Sequence, residues 1–159
     1  MASRRDQIRM TDDEIREFLA SQKTMILTSN GHDGYPHPMP MWFWAAPDGC
    51  IYFATYEKSQ KVRNIERDSR VSLLCESGTE YEELKAVFIK AEAELVKDVE
   101  LAIDVLMRAG MGGDPDQMAP EQAAQVREMV RPRAVKRVVI RCRPNKIISW
   151  DHAKLGGTY

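Results

Sequence analysis

Residues 51–74, IYFATYEKSQKVRNIERDSRVSLL, decide how this chain is read. The β-branched and aromatic run Ile51, Tyr52, Phe53, Ala54 and Thr55 predicts a strand. A polar turn follows at Glu57-Lys58-Ser59. Val62 and Ile65 then give a short helix its apolar stripe, and residues 70–74 return as a strand. Ser59 stands at the N-cap, so the free backbone N–H groups of the first turn gather near Ser59, Gln60 and Lys61. A helix start that carries a hydroxyl between Lys58 and Lys61 suits an anion, above all a phosphate. Thr55, Lys58, Ser59, Gln60, Lys61 and Asn64 form the first candidate constellation. The alternative is a solvated polar helix start.

Working outward, the upstream chain supplies further strands. Thr11-Asp12-Asp13-Glu14 has the form of a capping box, and Ile15, Phe18 and Leu19 give the helix behind it one apolar face. Residues 24–29 predict a strand, and Asn30-Gly31-His32-Asp33-Gly34 is turn chemistry. Residues 38–45 read as one extended, aromatic-rich segment. Asp48-Gly49 is a hairpin signal before the strand at Ile51. Within His37-Pro38-Met39-Pro40-Met41-Trp42-Phe43-Trp44 the prolines cannot donate to a ladder, so an edge or interrupted strand is expected. Backbone groups left unpaired beside Pro38 and Pro40 suit a planar heterocycle. The competing reading is ordinary core or dimer packing of the aromatics.

Downstream, residues 84–96 alternate, with Val87, Ile89, Ala91, Ala93 and Leu95 as the buried set. Residues 99–109 predict a helix, residues 110–118 a loop, and residues 121–130 a second helix opened by Pro120 and followed by Pro132. Strands are expected at 135–142 and again at 146–150. Residues 131–146 hold seven Lys/Arg and no acid. That run serves either as a solvated strand face or as a seat for an extended anionic cofactor tail, with Arg137, Arg141 and Arg143 on one parity. The pattern predicts a mainly β (α+β) domain: a six-stranded antiparallel split β-barrel with flanking helices.

Composition narrows the classes. A chain of 159 residues fits a single domain, 1–159, with a core from residue 10 and a flexible N-terminus over 1–9. The 23 basic and 24 acidic residues give a net charge of -1, which argues against a nucleic-acid partner. There is no apolar leader and no apolar run of membrane-spanning length, so a cytoplasmic protein without a membrane partner is expected. Cys50, Cys75 and Cys142 are odd in number and lack a CxxC, which points to reduced, structural thiols. His32, His37 and His152 lack metal-ligand spacing, and no metal is expected. No side-chain acid or nucleophile motif stands out, so no catalytic residue is assigned.

Pro38-x-Pro40-x-Trp42, the Asp48-Gly49 hairpin, and the run Phe53-Ala54-Thr55 to Ser59-x-Lys61-x-x-Asn64-Ile65-x-Arg67-Asp68-x-Arg70-Val71 resemble the pyridoxamine 5'-phosphate oxidase-like flavin split-barrel superfamily. The closing Ile147-Ile148-Ser149-Trp150-Asp151 looks like the C-terminal signature of its actinobacterial branch. Within the superfamily the chain is most similar to the F420-dependent flavin/deazaflavin oxidoreductases, B type. That resemblance implies a homodimer with the cofactor held between subunits. It puts Thr55, Ser59 and Lys61 at the cofactor phosphate, Asn64 in support, and residues 39–42 at the flavin or deazaflavin ring. It places the C-terminal end near the dimer interface, so Trp150 and Tyr159 are expected to be covered.

The departures carry information too. The FMN-using vitamin B6 oxidases put an arginine where this chain has Gln60, and basic residues on the strand that here carries Met39 and Trp44. They also end in R-L-x-P, not Lys154-Leu155-Gly156-Gly157. These differences point away from vitamin B6 oxidation. The resemblance implies an F420-dependent reductase transferring a hydride from reduced deazaflavin to a small enone, quinone or tetrapyrrole-like acceptor. The alternatives are an FMN-dependent oxidoreductase on the same fold, and a non-catalytic F420-, haem- or tetrapyrrole-binding protein.

Overall fold

A computed structural model describes residues 3–157 of the chain. Helices α1 (Arg4–Gln7) and α2 (Asp12–Ser21) precede the strands β1 (Thr24–Asn30), β2 (Pro36–Trp42), β3 (Trp44–Ala45) and β4 (Ile51–Tyr56). Helix α3 (Gln60–Arg67) leads to β5 (Arg70–Ser77) and β6 (Lys85–Val96). Helices α4 (Val99–Arg108) and α5 (Pro120–Ala134) then intervene before the long last strand, β7 (Arg137–Asp151). The strands form one sheet in the order β2-β1-β5-β6-β7-β4-β3. Every neighbouring pair is antiparallel. The expected mainly β architecture with flanking helices is present, with seven strands among the described residues where six were expected.

The seventh strand arises because the extended segment at 38–45 is divided. β2 pairs with β1 at one end of the sheet, and β3 pairs with β4 at the other. Only Phe43 separates them, and one residue spans only a few ångströms. The two ends of the sheet must therefore meet, which curls the sheet into a barrel. Phe43 itself is buried in the barrel core with Leu27, Phe53, Leu73, Ile89 and Ile140.

The barrel is split where β2 and β4 diverge. β3 pairs only with Ile51 and Tyr52, so the outer edge of β4 beyond Tyr52 has no strand beside it. Continuing that register would set Trp42 opposite Ala54 and Met41 opposite Thr55. Instead β2 follows β1, and a wedge opens between the two edges.

Local sequence explains most elements. The capping box at α2 forms as expected: Glu14 N–H donates to Thr11 Oγ1 at 3.2 Å, and Thr11 N–H donates to Glu14 Oε2 at 2.6 Å. The hairpin between β3 and β4 turns through Gly49, whose φ of 83° suits glycine. In β6 the buried set is the expected parity, with Lys90, Glu92 and Glu94 outward. A second core lies outside the barrel. There α4 and α5 pack Ala102, Ile103, Leu106, Met107, Val130 and Ala134 against Tyr52 of β4 and Val139 of β7.

Two expected boundaries are corrected. Helix α5 does not stop before Pro132 but runs through it to Ala134. Val130 and Ala134 lie one turn apart and are both buried, so packing carries the helix past the proline, and Val135 N–H still reaches Arg131 O at 3.1 Å. The strands expected at 135–142 and 146–150 are one continuous β7. Pro144 sits where β4 has already ended, and Asn145 is the extra residue in the register shift against Lys90 and Ala91. A bulge on an unpaired edge is where a strand accepts proline.

The termini are tied together. Asp151 N–H donates to Ile8 O at 2.8 Å, and His152 N–H donates to Leu84 O at 3.0 Å. Lys154 Nζ donates to Arg9 O at 2.9 Å and pairs with Glu14 at 2.6 Å. Within the stretch expected to be flexible, Ser3 caps the one-turn helix α1. Trp150 is half-buried and stands opposite Ala86 in the ladder. The expectation for Tyr159 lies outside the described residues. All three cysteines are buried and free. Among the described residues no helix is long and apolar enough to cross a membrane, and no cluster of metal-ligating side chains occurs.

Candidate functional site

The wedge between β2 and β4 is a cleft of about 260 Å³. One wall is the β2 segment Met39, Pro40, Met41 and Trp42. The floor is Ala54 and Thr55 of β4, with Lys61 of α3 and Arg137 of β7 beside them. The opposite wall is apolar and comes from α4 and the loop behind it: Val105, Leu106, Ala109 and Met111.

The β2 wall is an edge shaped by its prolines. A proline has no N–H, so the ladder bonds to β1 fall on His37, Met39 and Met41, opposite Ser29, Leu27 and Met25. Pro38 and Pro40 turn their carbonyl oxygens the other way. The free edge at these positions accepts hydrogen bonds and donates none, which both suits a ligand carrying N–H groups and resists pairing with another strand.

The floor is cationic. Lys61 is only 9% exposed, and its Nζ donates to Thr55 Oγ1 at 3.2 Å. Burial, and then the Arg137 guanidinium, hold the Lys61 ammonium below its usual pKa. Arg137 lies over the Tyr56 ring at 4.4 Å and donates from Nη1 to Ala54 O at 3.3 Å. Its Nε is buried without a partner.

Ser59 occupies the N-cap of α3 as expected, with extended backbone at φ -72°, ψ 153°. Its side chain makes no cap bond, and Oγ is buried with no partner in the protein. A cap serine normally satisfies a helix N–H with that oxygen, so its hydroxyl and the amides of Gln60 and Lys61 are available to a ligand, whereas Val62 N–H donates to Ser59 O at 3.1 Å and Ser59 N–H to Tyr56 O at 3.0 Å. A buried lysine beside a half-buried arginine, an orphaned hydroxyl and the free amides of Gln60 and Lys61 fit a phosphate group.

Of the ten residues singled out, Met39, Pro40, Met41, Trp42, Thr55 and Lys61 line one cleft. Ser59 is at the adjoining helix start. Asn64 stands behind the cleft, fully buried: its Nδ2 donates to Ser29 Oγ at 3.0 Å, and its Oδ1 accepts from Gln60 Nε2 at 2.9 Å. Gln60 thus engages the support of the loop. Lys58 and Gln60 are exposed and do not line the cleft.

The basic strand face divides. Arg137 enters the cleft, whereas Arg141 pairs with Glu94. Arg143 shares a separate groove with Glu92 and Glu94. Those acids come from β6, the neighbour that the local sequence of 131–146 does not reveal.

Sequence reasoning missed the α4 wall and Lys23. The broad burial of α4 at Ala102, Ile103, Val105, Leu106 and Met107 was the available signal for the wall. Lys23 Nζ lies over the Trp42 ring at 4.1 Å. A Cβ at Gly110 would come within 2.9 Å of Lys23 Cε, so the glycine lets the loop approach. Arg108 secures that loop by pairing with Asp114 at 2.8 Å and Asp116 at 2.7 Å, while stacking on Trp44 at 4.9 Å.

Comparison with known proteins agrees with the fold. The family described as pyridoxamine 5'-phosphate oxidase matches residues 11–151. A conserved hypothetical protein from Mycobacterium tuberculosis is 35% identical, with a TM-score of 0.82 over 99% of this chain and 95% of its own. An FAD-binding protein from Mesorhizobium loti is 16% identical, with a TM-score of 0.60 over 88% of this chain and 91% of its own. The heme storage protein HutZ from Vibrio cholerae is 18% identical, with a TM-score of 0.63 over 89% and 97%. The last two share the fold alone. No curated protein matches the chain.

Proposed function

This chain belongs to the pyridoxamine 5'-phosphate oxidase family, and on that premise we propose that it is an F420-dependent oxidoreductase acting on a small, flat organic acceptor. The observation that carries this reading is the convergence of Lys61, Thr55 and Arg137 beside the proline-edged, methionine-lined wall of β2. Lys61, with the hydroxyl of Ser59 and the first amides of α3, would hold the cofactor phosphate. The carbonyls of Pro38 and Pro40 would orient the N–H edge of the ring. Leu106 and Met111 would cover the opposite side and exclude water. When bound, reduced deazaflavin supplies the hydride, and the protein supplies position and a dry pocket. The resemblance to F420-dependent oxidoreductases, and Gln60 where FMN-using relatives carry an arginine, favour deazaflavin over FMN.

The proposal includes a homodimer whose second subunit completes the cofactor pocket. Trp42 is 47% exposed at the cleft mouth, and Ile147 is 42% exposed beside the apolar groove formed by Ile15, Leu19 and Ile51. These surfaces suit a second copy. Sedimentation of the purified protein tests this point, and a monomer would remove it.

The activity is tested by the absorbance spectrum of the purified protein and by titration with F420 and with FMN. A panel of enones, quinones and tetrapyrroles is then screened with the reduced cofactor. Tight F420 binding with acceptor reduction is the expected result. Retained FMN would replace the deazaflavin by a flavin. Tight binding without turnover across the panel would make the protein a carrier.

A further inference from the structure

We propose that Arg137 is the second cation of the phosphate site, and that it reads the phosphate and not the ring or the tail. This deepens the cofactor reading above and rests on it.

Arg137 arrives from β7, far in sequence from the loop that precedes α3, yet it lines the same cleft as Lys61 and Thr55. Its guanidinium is held from two sides: Nη1 donates to Ala54 O at 3.3 Å, and the Tyr56 ring lies 4.4 Å from its central carbon. These contacts fix the plane of the group without neutralising it. No carboxylate is among the residues lining the cleft. In contrast to Arg141, which is paired with Glu94, Arg137 has no ion pair among the described residues. Its Nε is buried and unpartnered, a donor that a native structure keeps only at a cost unless something binds it. Lys61 is desolvated in the same cleft and feels the like charge of Arg137.

Two cations enclosed together with no anion repel each other. An oxyanion between them turns that repulsion into two charge-assisted hydrogen-bonding partners. Guanidinium geometry adds direction, since a planar fork matches two oxygens of one phosphorus, whereas Lys61 acts as a point charge. The contact to Ala54 O leaves the remaining N–H groups of Arg137 for this purpose.

The test is a cycle between the side chain and the phosphate. Wild type, Arg137→Gln and Arg137→Lys are titrated with five ligands: F420, the tail-free deazaflavin 5'-monophosphate, the phosphate-free deazaflavin, FMN and riboflavin. A loss on F420 that the tail-free monophosphate does not share would assign Arg137 to the tail and overturn the proposal. Melting curves without ligand check that each variant is folded. Arg137→Gln should weaken the phosphate-bearing ligand that wild type binds by about 10- to 150-fold and leave its phosphate-free counterpart within about twofold. Arg137→Lys should restore part of the loss. Equal losses for ligands with and without phosphate would overturn the assignment, because a structural role moves both alike. Wild-type preference for FMN over F420, with the same dependence on Arg137, would overturn the deazaflavin reading and leave this inference standing. Binding of none of the five by wild type would overturn both.

Discussion

Lys61 and Thr55 meet across the junction of α3 and β4, with Nζ 3.2 Å from Oγ1. A threonine hydroxyl is a modest partner for a desolvated ammonium, which explains why Lys61 remains available to an anion. Replacing Lys61 by Ala should therefore weaken binding of the phosphate-bearing cofactor and leave the fold intact. The loss of one charge-assisted bond is worth about 1.5–3 kcal/mol, or about 10- to 150-fold in affinity. Calorimetric titration beside a thermal melt checks both halves. Unchanged affinity would remove Lys61 from the site.

The same ammonium predicts a pH dependence. Its folded pKa lies below the ordinary 10.5, with burial as the larger cause and Arg137 the lesser. Between the depressed value and 10.5 the unfolded chain binds more protons than the folded one, so stability rises with pH through that window. The charged form costs stability below it. Ligand-free wild type should gain stability across this interval relative to Lys61→Met. Urea titrations at a series of alkaline pH values measure it, and parallel curves for the two proteins would contradict the prediction.

Ser59 makes the contrasting case. A capping serine changed to alanine usually costs about 1 kcal/mol. Here Oγ makes no cap bond and is buried alone, so Ser59→Ala should leave the ligand-free melting temperature unchanged or slightly raised. Cofactor affinity should fall about 10- to 150-fold, the value of a hydrogen bond to a charged group. A marked loss of ligand-free stability would mean that the hydroxyl serves the helix.

Asn64 should behave in the opposite way. It is fully buried and joins α3 to β1 through Ser29 Oγ at 3.0 Å. Asn64→Ala leaves the equally buried Ser29 hydroxyl without its donor, at a cost of about 1–3 kcal/mol. Asn64→Ala with Ser29→Ala should recover part of that cost. Denaturant unfolding of the two single variants and the double variant tests the coupling, and strict additivity would sink it.

How much was legible varies with the range of the interactions. The strand–loop–helix–strand order at 51–74 follows from local pattern, because turn chemistry and periodicity act over a few residues. Ser59 at the helix start was legible for the same reason, but its missing cap bond was not, since that depends on what surrounds Oγ. Pro132 misled because the local rule for proline yields to the burial of Val130 and Ala134. The break at Phe43 was invisible because it records where two strands find different partners. Arg137 could be weighed only as one member of a basic run. Its separation from Arg141 and Arg143 depends on β6 acids and on the β4 register, both distant in sequence.

Phe43 joins the two edges of the sheet before any sheet exists. Bringing those edges together costs almost no loop entropy, since the chain already holds them one residue apart. The expensive contacts lie elsewhere: β4 must find β7 across everything from α3 to α5. Pairings of that separation are slow, whereas the β1–β2 and β5–β6 neighbours are close in sequence and form early. Folding should then be limited by the capture of β7, and trimming Val139 should slow refolding more than trimming Met41. The wedge that becomes the cleft would be among the first parts of the barrel to take shape, and its floor, completed by Arg137, among the last.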